Sequence, residues 1–236
     1  MAQARKLHDQ YFKKAKEEGY AARSAYKLKQ IQDKRGILKR GDWVLDLGCS
    51  PGSWVQVASE IVGDRGRVGG IDLKPVEIEG GTPGNAKTLV ADIFKSDGAF
   101  LLGILVSEGK PVRLVDVVLS DMAPNTEGGG GGSMDHFRSV DLCRRVLELC
   151  PSLLRPGGNL VMKVFEGEVY PELLKDCGKM FADVKGYKPE ASREVSREMF
   201  ITAKGYRGGP LPTTPLPHGI AKAPPAPMPG WGGGGA

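Results

Sequence analysis

The sequence predicts an α/β domain built on a doubly wound, seven-stranded, mostly parallel sheet with helices on both faces. Two observations carry that prediction. From Trp43 onward short apolar runs alternate with helical patterns, and the first five runs are almost continuously apolar, as strands covered on both faces should be. A glycine-containing turn also joins the first of these strands to the helix that follows it, where an open α/β sheet places its ligand.

In chain order, residues 1–40 are rich in Lys, Arg, Ala and Gln, with a loose helical spacing at Ala22, Ala25, Tyr26 and Ile31. They read as a basic N-terminal helical segment. The domain proper is expected over 41–206, with strands at 43–48, 67–73, 86–93, 114–121, 159–165, 181–188 and 198–204. Helices are expected at 53–62, 97–108, 137–154 and 170–180. In the third, Val140, Cys143, Leu147, Cys150 and Leu154 line one face. Arg155-Pro156-Gly157-Gly158 then stops that helix and turns the chain into the next strand. Five consecutive glycines at 128–132 predict a loop that buries no core, and the Pro- and Gly-rich segment 207–236 predicts a disordered tail.

The 236 residues suit one main domain, and 40% hydrophobic with 26% charged residues is ordinary globular composition. No apolar run is long enough to span a bilayer, so no membrane partner is expected. The early Lys and Arg are not followed by an apolar stretch, so a secretory signal is not expected either. A net charge of +5 suits a polyanionic partner. Cys49, Cys143, Cys150 and Cys177 show no C-x-x-C spacing; they read as buried thiols of a reducing compartment, with no metal site expected.

The chemistry-bearing segment begins at Asp46-Leu47-Gly48-Cys49-Ser50-Pro51-Gly52-Ser53-Trp54. Glycine at such a strand-to-helix turn lets backbone approach a ligand with no Cβ in the way. The G-x-x-x-G spacing of Gly48 and Gly52 matches neither the dinucleotide fingerprint nor the phosphate loop, so a pyrophosphate is not the expected ligand. Asp72 ends the second strand, where an acid can accept hydrogen bonds from both ribose hydroxyls, and Asp92 ends the third, where it can meet an adenine amino group. Singly, each is an ordinary turn glycine or strand-end cap. Together, at successive strand ends, they point to a nucleoside cofactor.

The D-L-G-x-x-P-G-x-W turn, the S-D-M-A-P-N run at 120–125 and the V-x-K-V-F-x-G run at 161–167 resemble the FtsJ-type RNA 2′-O-methyltransferase family. The resemblance extends from about Tyr11 to Tyr206. It implies a Rossmann-like class I methyltransferase fold, S-adenosyl-L-methionine as cofactor, and Gly48, Gly52, Trp54, Asp72, Asp92 and Asp121 around it. Cys49 stands where many relatives carry alanine; both are small.

The family's Lys-Asp-Lys-Glu tetrad finds matches in Lys27, Asp121, Lys163 and Glu198. A ribose hydroxyl must lose its proton as it attacks a sulfonium methyl in line, so a base is needed. The resemblance implies Lys163 as that base, helped by like-charge repulsion from Lys27, with the two acids orienting the lysines. Lys163 lies inside the apolar run Leu160-Val161-Met162-Lys163-Val164-Phe165, where a charge is costly without a partner.

Arg23, Tyr26 and Lys29, with Lys34, Arg35 and Tyr20, form a basic cluster with interleaved aromatics that is expected to bind RNA phosphates and stack a base. The runs at 193–197 and 204–207 extend it. Asp135-His136-Phe137-Arg138-Ser139 after S-D-M-A-P-N is similar to the branch that acts on a uridine in the A-loop of large-subunit ribosomal RNA. The expected partner is therefore ribosomal RNA within a large-subunit assembly intermediate, met by a monomer in the cytoplasm, the mitochondrial matrix or another organelle. A tRNA anticodon-loop 2′-O-methyltransferase shares the chemistry, and an assembly factor that uses the fold as an RNA-binding module shares the surface. A nicotinamide-dependent oxidoreductase shares only the fold, and the absent G-x-G-x-x-G argues against it.

Overall fold

The computed structural model describes residues 2–106, 111–124, 133–193 and 196–208; the glycine run at 128–132 and the tail from residue 209 lie outside them. The basic entry segment forms α1 (Ala2–Glu17) and α2 (Ala25–Arg35). Gly36 closes α2 in the left-handed region, at φ 58°, and donates to the Gln32 carbonyl. Then follow β1 (Trp43–Leu47), α3 (Ser53–Val62), β2 (Arg67–Asp72), β3 (Ala86–Val90), α4 (Gly98–Gly103), β4 (Val115–Ser120), α5 (Ser133–Leu153), β5 (Leu154–Phe165), α6 (Tyr170–Met180), β6 (Phe181–Tyr187) and β7 (Glu198–Tyr206).

The seven strands form one sheet in the order β3-β2-β1-β4-β5-β7-β6. All neighbours from β3 to β5 are parallel, and β7 runs antiparallel between β5 and β6. The order reverses between β1 and β4, which opens a crevice at their carboxyl ends.

Strand alternation assigns the two faces. Leu45, Leu47, Val118, Leu160 and Met162 pack under α4, α5 and α6. Val44, Val68, Val117, Leu119, Val161 and Phe200 pack under α2 and α3, against Leu28, Ile31, Val55 and Ala58.

The structure corrects three expectations. The strand predicted at 86–93 and read as covered on both faces ends at Val90 and is an edge strand. With β2 as its one neighbour, it leaves Leu89 and Val90 38% and 62% exposed. The helix predicted at 97–108 ends at Gly103. Arg155–Gly158 does not precede β5 but interrupts it: Val115 pairs with Leu154 and Val117 with Asn159, so four residues bulge out opposite Asp116. Asp116 holds the bulge by accepting from Arg155 Nε at 2.5 Å, Arg113 at 2.7 Å and the Trp43 N–H at 2.8 Å.

Among the described residues no helix is long and apolar enough to cross a membrane. The four cysteines are free thiols, all buried.

Candidate active site

The turn after β1 is shaped by its glycines. Gly48 has φ 84°, and a Cβ there would strike the Met122 side chain and come within 3.1 Å of its backbone. Gly52 has φ 116°, and a Cβ there would lie 2.7 Å from both Val76 and Ile78. The N–H groups of Gly48 and Cys49 donate to the Ile71 carbonyl at 2.8 and 3.1 Å. The next one, from Ser50, donates to Asp72 Oδ2 at 3.0 Å, while Asp72 Oδ1 accepts from the Lys74 N–H at 2.9 Å. Asp72 thus braces the loop and keeps lone pairs for a ligand hydroxyl. Asp92 lies two residues beyond β3, its Oδ1 accepting from the Phe94 N–H at 2.9 Å.

Trp54 lies deeper than a surface lining. Its ring is 2% exposed, 5.7 Å from that of Phe200, and its indole N–H donates to the Ser24 carbonyl at 2.8 Å. It ties α3 to the residue just ahead of α2, and so sets the position of Lys27.

Sequence reasoning passed over Asp46, though the signal was there: an acid inside an apolar strand run, as at Lys163. Asp46 is fully buried, and neither carboxyl oxygen has a hydrogen-bond partner among the described residues. Burial first, then the carboxylates of Asp121 and Asp72, hold its carboxyl well above the usual range. Three acids converging on a glycine-walled crevice, one of them with both oxygens unused, fit a nucleoside ligand that carries positive charge. Gly48 and Gly52 set the path of the turn beside it, and Asp72, Asp92, Asp121 and Asp46 would be the polar groups around it.

The four tetrad candidates come together beside this crevice. Lys163 pairs with Phe200 and Phe165 with Glu198 across β5 and β7, so Lys163 and Glu198 share the face that α2 covers. Lys27 reaches them from α2. Two ion pairs result. Lys163 Nζ donates to Asp121 Oδ1 at 2.8 Å and to the Asp121 carbonyl at 2.5 Å. Lys27 Nζ lies 2.7 Å from Glu198 Oε1, which also accepts from Ser192 Oγ at 2.8 Å. Burial alone would push the Asp121 carboxyl up; attraction from Lys163 and then Lys27, with the Lys163 hydrogen bond, outweighs it and holds Asp121 below the usual carboxylate range. Lys27, Lys163 and Glu198 are each no more than 8% exposed.

The segment 135–139 locks the end of β5. His136 Nδ1 lies 2.6 Å from the Phe165 carbonyl, and its Nε2 accepts from the Val169 N–H at 3.1 Å, which assigns the proton to Nδ1. Ser139 Oγ donates to the His136 carbonyl and accepts from the Phe165 N–H. Both side chains fix the turn two residues beyond Lys163.

The predicted RNA surface is partly rearranged. Arg23 is half-buried, and burial first, then Arg193, lowers its pKa while Glu198 raises it; it stands beside the tetrad. Lys29 is paired with Glu18 at 3.2 Å and lies 4.3 Å over the Tyr20 ring. Tyr26 is not a stacking platform. It is 5% exposed, packed against Tyr11 and Tyr20 at 5.3 and 6.1 Å between ring centres, and it joins α1 to α2 as core. Phe12, 60% exposed on α1, is the aromatic that this segment presents.

The profile of the FtsJ-like methyltransferase family matches residues 20–206. A ribosomal RNA large subunit methyltransferase E from Desulfatibacillum aliphaticivorans is 43% identical over 201 residues, covering 85% of this chain and 92% of the relative. One of the same name from Methanothrix thermoacetophila is 44% identical over 209 residues, covering 88% and 76%. A Plasmodium falciparum crystal structure described as a ribosomal RNA methyltransferase superposes with a TM-score of 0.66 at 27% identity, covering 80% of this chain and all of that one. Aeropyrum pernix fibrillarin, at 22% identity and a TM-score of 0.53 with 76% of each chain covered, shares the fold. Matched along the whole of its sheet, the chain belongs to the FtsJ-like methyltransferase family and is an enzyme that draws its methyl group from S-adenosylmethionine.

Proposed function

We propose that this chain methylates a ribose 2′-hydroxyl of large-subunit ribosomal RNA, at a uridine of the A-loop. The observation that carries the reaction type is the pair of buried lysine–carboxylate contacts on one face of the sheet, beside the glycine-walled crevice. The relatives named as large-subunit enzymes support the RNA class, as does the 135–139 segment.

When bound, S-adenosylmethionine supplies a methyl carbon activated by a positively charged sulfur. Lys163, once its ammonium has passed a proton to solvent, takes the proton of the 2′-hydroxyl as the oxygen attacks. Lys27 positions that oxygen, held in place by Glu198, which Ser192 steadies in turn. Asp121 orients Lys163 by accepting one charge-assisted hydrogen bond at its carboxylate and a second at its backbone carbonyl, both from Lys163 Nζ. Holding the reactants in line contributes on the order of 7–11 kcal/mol in well-oriented systems, so the rigidity of these pairs matters as much as basicity.

The substrate is a large-subunit assembly intermediate, and a single copy of the chain carries every tetrad residue; it acts where ribosomes are assembled, in the cytoplasm or an organelle. The test is transfer of a tritiated methyl group to large ribosomal particles and, separately, to tRNA, followed by nuclease mapping. Label on a ribose of the A-loop is the expected result. Label confined to tRNA refutes the substrate, and label on a base refutes the reaction type.

A further inference from the structure

We propose that Gln56 is a positioning residue for Lys27: by gripping the segment between α1 and α2 it fixes where the Lys27 ammonium meets the 2′-hydroxyl. This rests on the reading that Lys27 holds that hydroxyl.

Lys27 lies in the first turn of α2, and that turn hangs from the residues ahead of it. The N–H groups of Ala25, Tyr26 and Lys27 donate to the carbonyls of Ala22, Arg23 and Ser24 at 3.2, 3.1 and 3.0 Å. A first helical turn frays unless its chain is tied down elsewhere. Ser24 stands at the N-cap, where a serine hydroxyl ordinarily accepts from the helix backbone, yet it makes no such bond. Its Oγ lies instead 2.7 Å from Oγ of Ser53, the first residue of α3.

Ser53, Gln56 and Glu60 are spaced to share one face of α3, and with Trp54 they hold residues 19–24 along their length. Gln56 Nε2 donates to the Gly19 carbonyl at 2.9 Å, and its Oε1 accepts from the Ala21 N–H at 2.8 Å. Tyr20, between those two residues, donates from Oη to Glu60 Oε2 at 2.7 Å. Trp54 Nε1 donates to the Ser24 carbonyl, the same carbonyl that accepts from the Lys27 N–H. Because Gln56 satisfies a backbone carbonyl and a backbone N–H two residues apart, it fixes the path of the segment as well as its distance from α3.

The backbone of Gln56 belongs to the donor side. Its N–H donates to the Gly52 carbonyl at 3.0 Å and closes the helical turn that opens from the glycine loop. One turn of α3 therefore serves both reactants: its backbone continues the wall of the crevice, and its side chains place α2. Replacing the Gln56 side chain disturbs the second task and leaves the first. In-line transfer is sensitive to such a shift, since a displacement of about 1 Å can cost up to about a hundredfold in rate.

The experiment is single-turnover transfer of a tritiated methyl group by the full chain to large ribosomal particles, or to tRNA should the label go there. Four chains are compared: wild type, Gln56→Leu, Lys27→Met and the double variant. Gln56→Leu should slow transfer about ten- to a hundredfold, with the calorimetric dissociation constant for S-adenosylmethionine unchanged. In the Lys27→Met background the same substitution should cost less than about twofold, because no ammonium is left to misplace. A wild-type rate in Gln56→Leu, an equal loss in both backgrounds, or a loss that appears in the donor dissociation constant overturns the proposal. Should Gln56→Leu fail to fold, Ser53→Ala, which removes the Ser24 hydroxyl contact, goes through the same cycle. A loss confined to the chain that keeps Lys27 supports the proposal, and an equal loss overturns it. Lys27→Met at the wild-type rate would refute the role given to Lys27 itself, and the proposal with it.

Discussion

Replacing Lys163 with methionine separates the chemical role of that side chain from its structural one. Methionine keeps an unbranched stem of similar volume inside β5 and removes the ammonium. Two hydrogen bonds disappear, to Asp121 Oδ1 at 2.8 Å and to the Asp121 carbonyl. Removing one partner of a buried ion pair costs about 3–5 kcal/mol, because the other charge is stranded. Here Lys27 still attracts Asp121 and the Asp121 side chain keeps 17% exposure, so the lower end, about 3 kcal/mol, is expected. Loss of a general base lowers the rate by roughly 10²- to 10⁴-fold, or about 3–5.5 kcal/mol of barrier. Chemical denaturation reads the first quantity, and single-turnover transfer of a tritiated methyl reads the second. Adding Asp121→Asn should restore much of the stability, since no stranded charge remains, and none of the rate. The reasoning fails if Lys163→Met keeps more than about a tenth of wild-type kcat, a loss below about 1.4 kcal/mol.

Three further outcomes test other parts of the site. Gly48→Ala forces a positive φ on a residue with a Cβ and drives it into Met122; denaturation should show a loss of about 2–4 kcal/mol, and calorimetry a weaker donor. Trp54→Phe removes the indole hydrogen bond to the Ser24 carbonyl, which should cost about 1–2 kcal/mol. It should lower kcat through displaced Lys27 while the donor dissociation constant stays unchanged; a change confined to donor binding would show that Trp54 acts on the ligand instead. His136→Ala leaves the Val169 N–H unpaired and opens a cavity against Gly167, so a loss of about 2–4 kcal/mol is expected together with reduced kcat.

The lines along which the sequence was readable are those where local pattern and tertiary environment agree. Strands β1, β2, β4, β6 and β7 start within a residue of their expected positions, because an apolar run bounded by turn residues carries its own limits. The edge strand β3 was misjudged in extent and burial, since an apolar run does not say how many neighbours it will have. The Arg155–Gly158 bulge was read as a helix stop for a related reason: proline and glycine mark a break, and only the pairing of β4 with β5 shows that the strand resumes around it. Tyr26 was assigned to the surface because its neighbours in sequence are basic. Its burial comes from Tyr11 on α1 and from Tyr20 in the turn between α1 and α2.

What the sequence determined by itself was the layered α/β class and the glycine turn; Lys27, Asp121, Lys163 and Glu198 became candidates through the family resemblance of the local runs they stand in. What only the tertiary structure decided was which lysine pairs with which acid, that Ser192 and His136 hold the two sides of the site, and that Asp46 is buried with no hydrogen-bond partner among the described residues. The physical reason is that hydrogen bonds and charge interactions act over a few ångströms of space between residues far apart along the chain. Lys27 and Glu198 come within 2.7 Å because α2 packs across β7, and that packing is set by burial of the whole apolar face together.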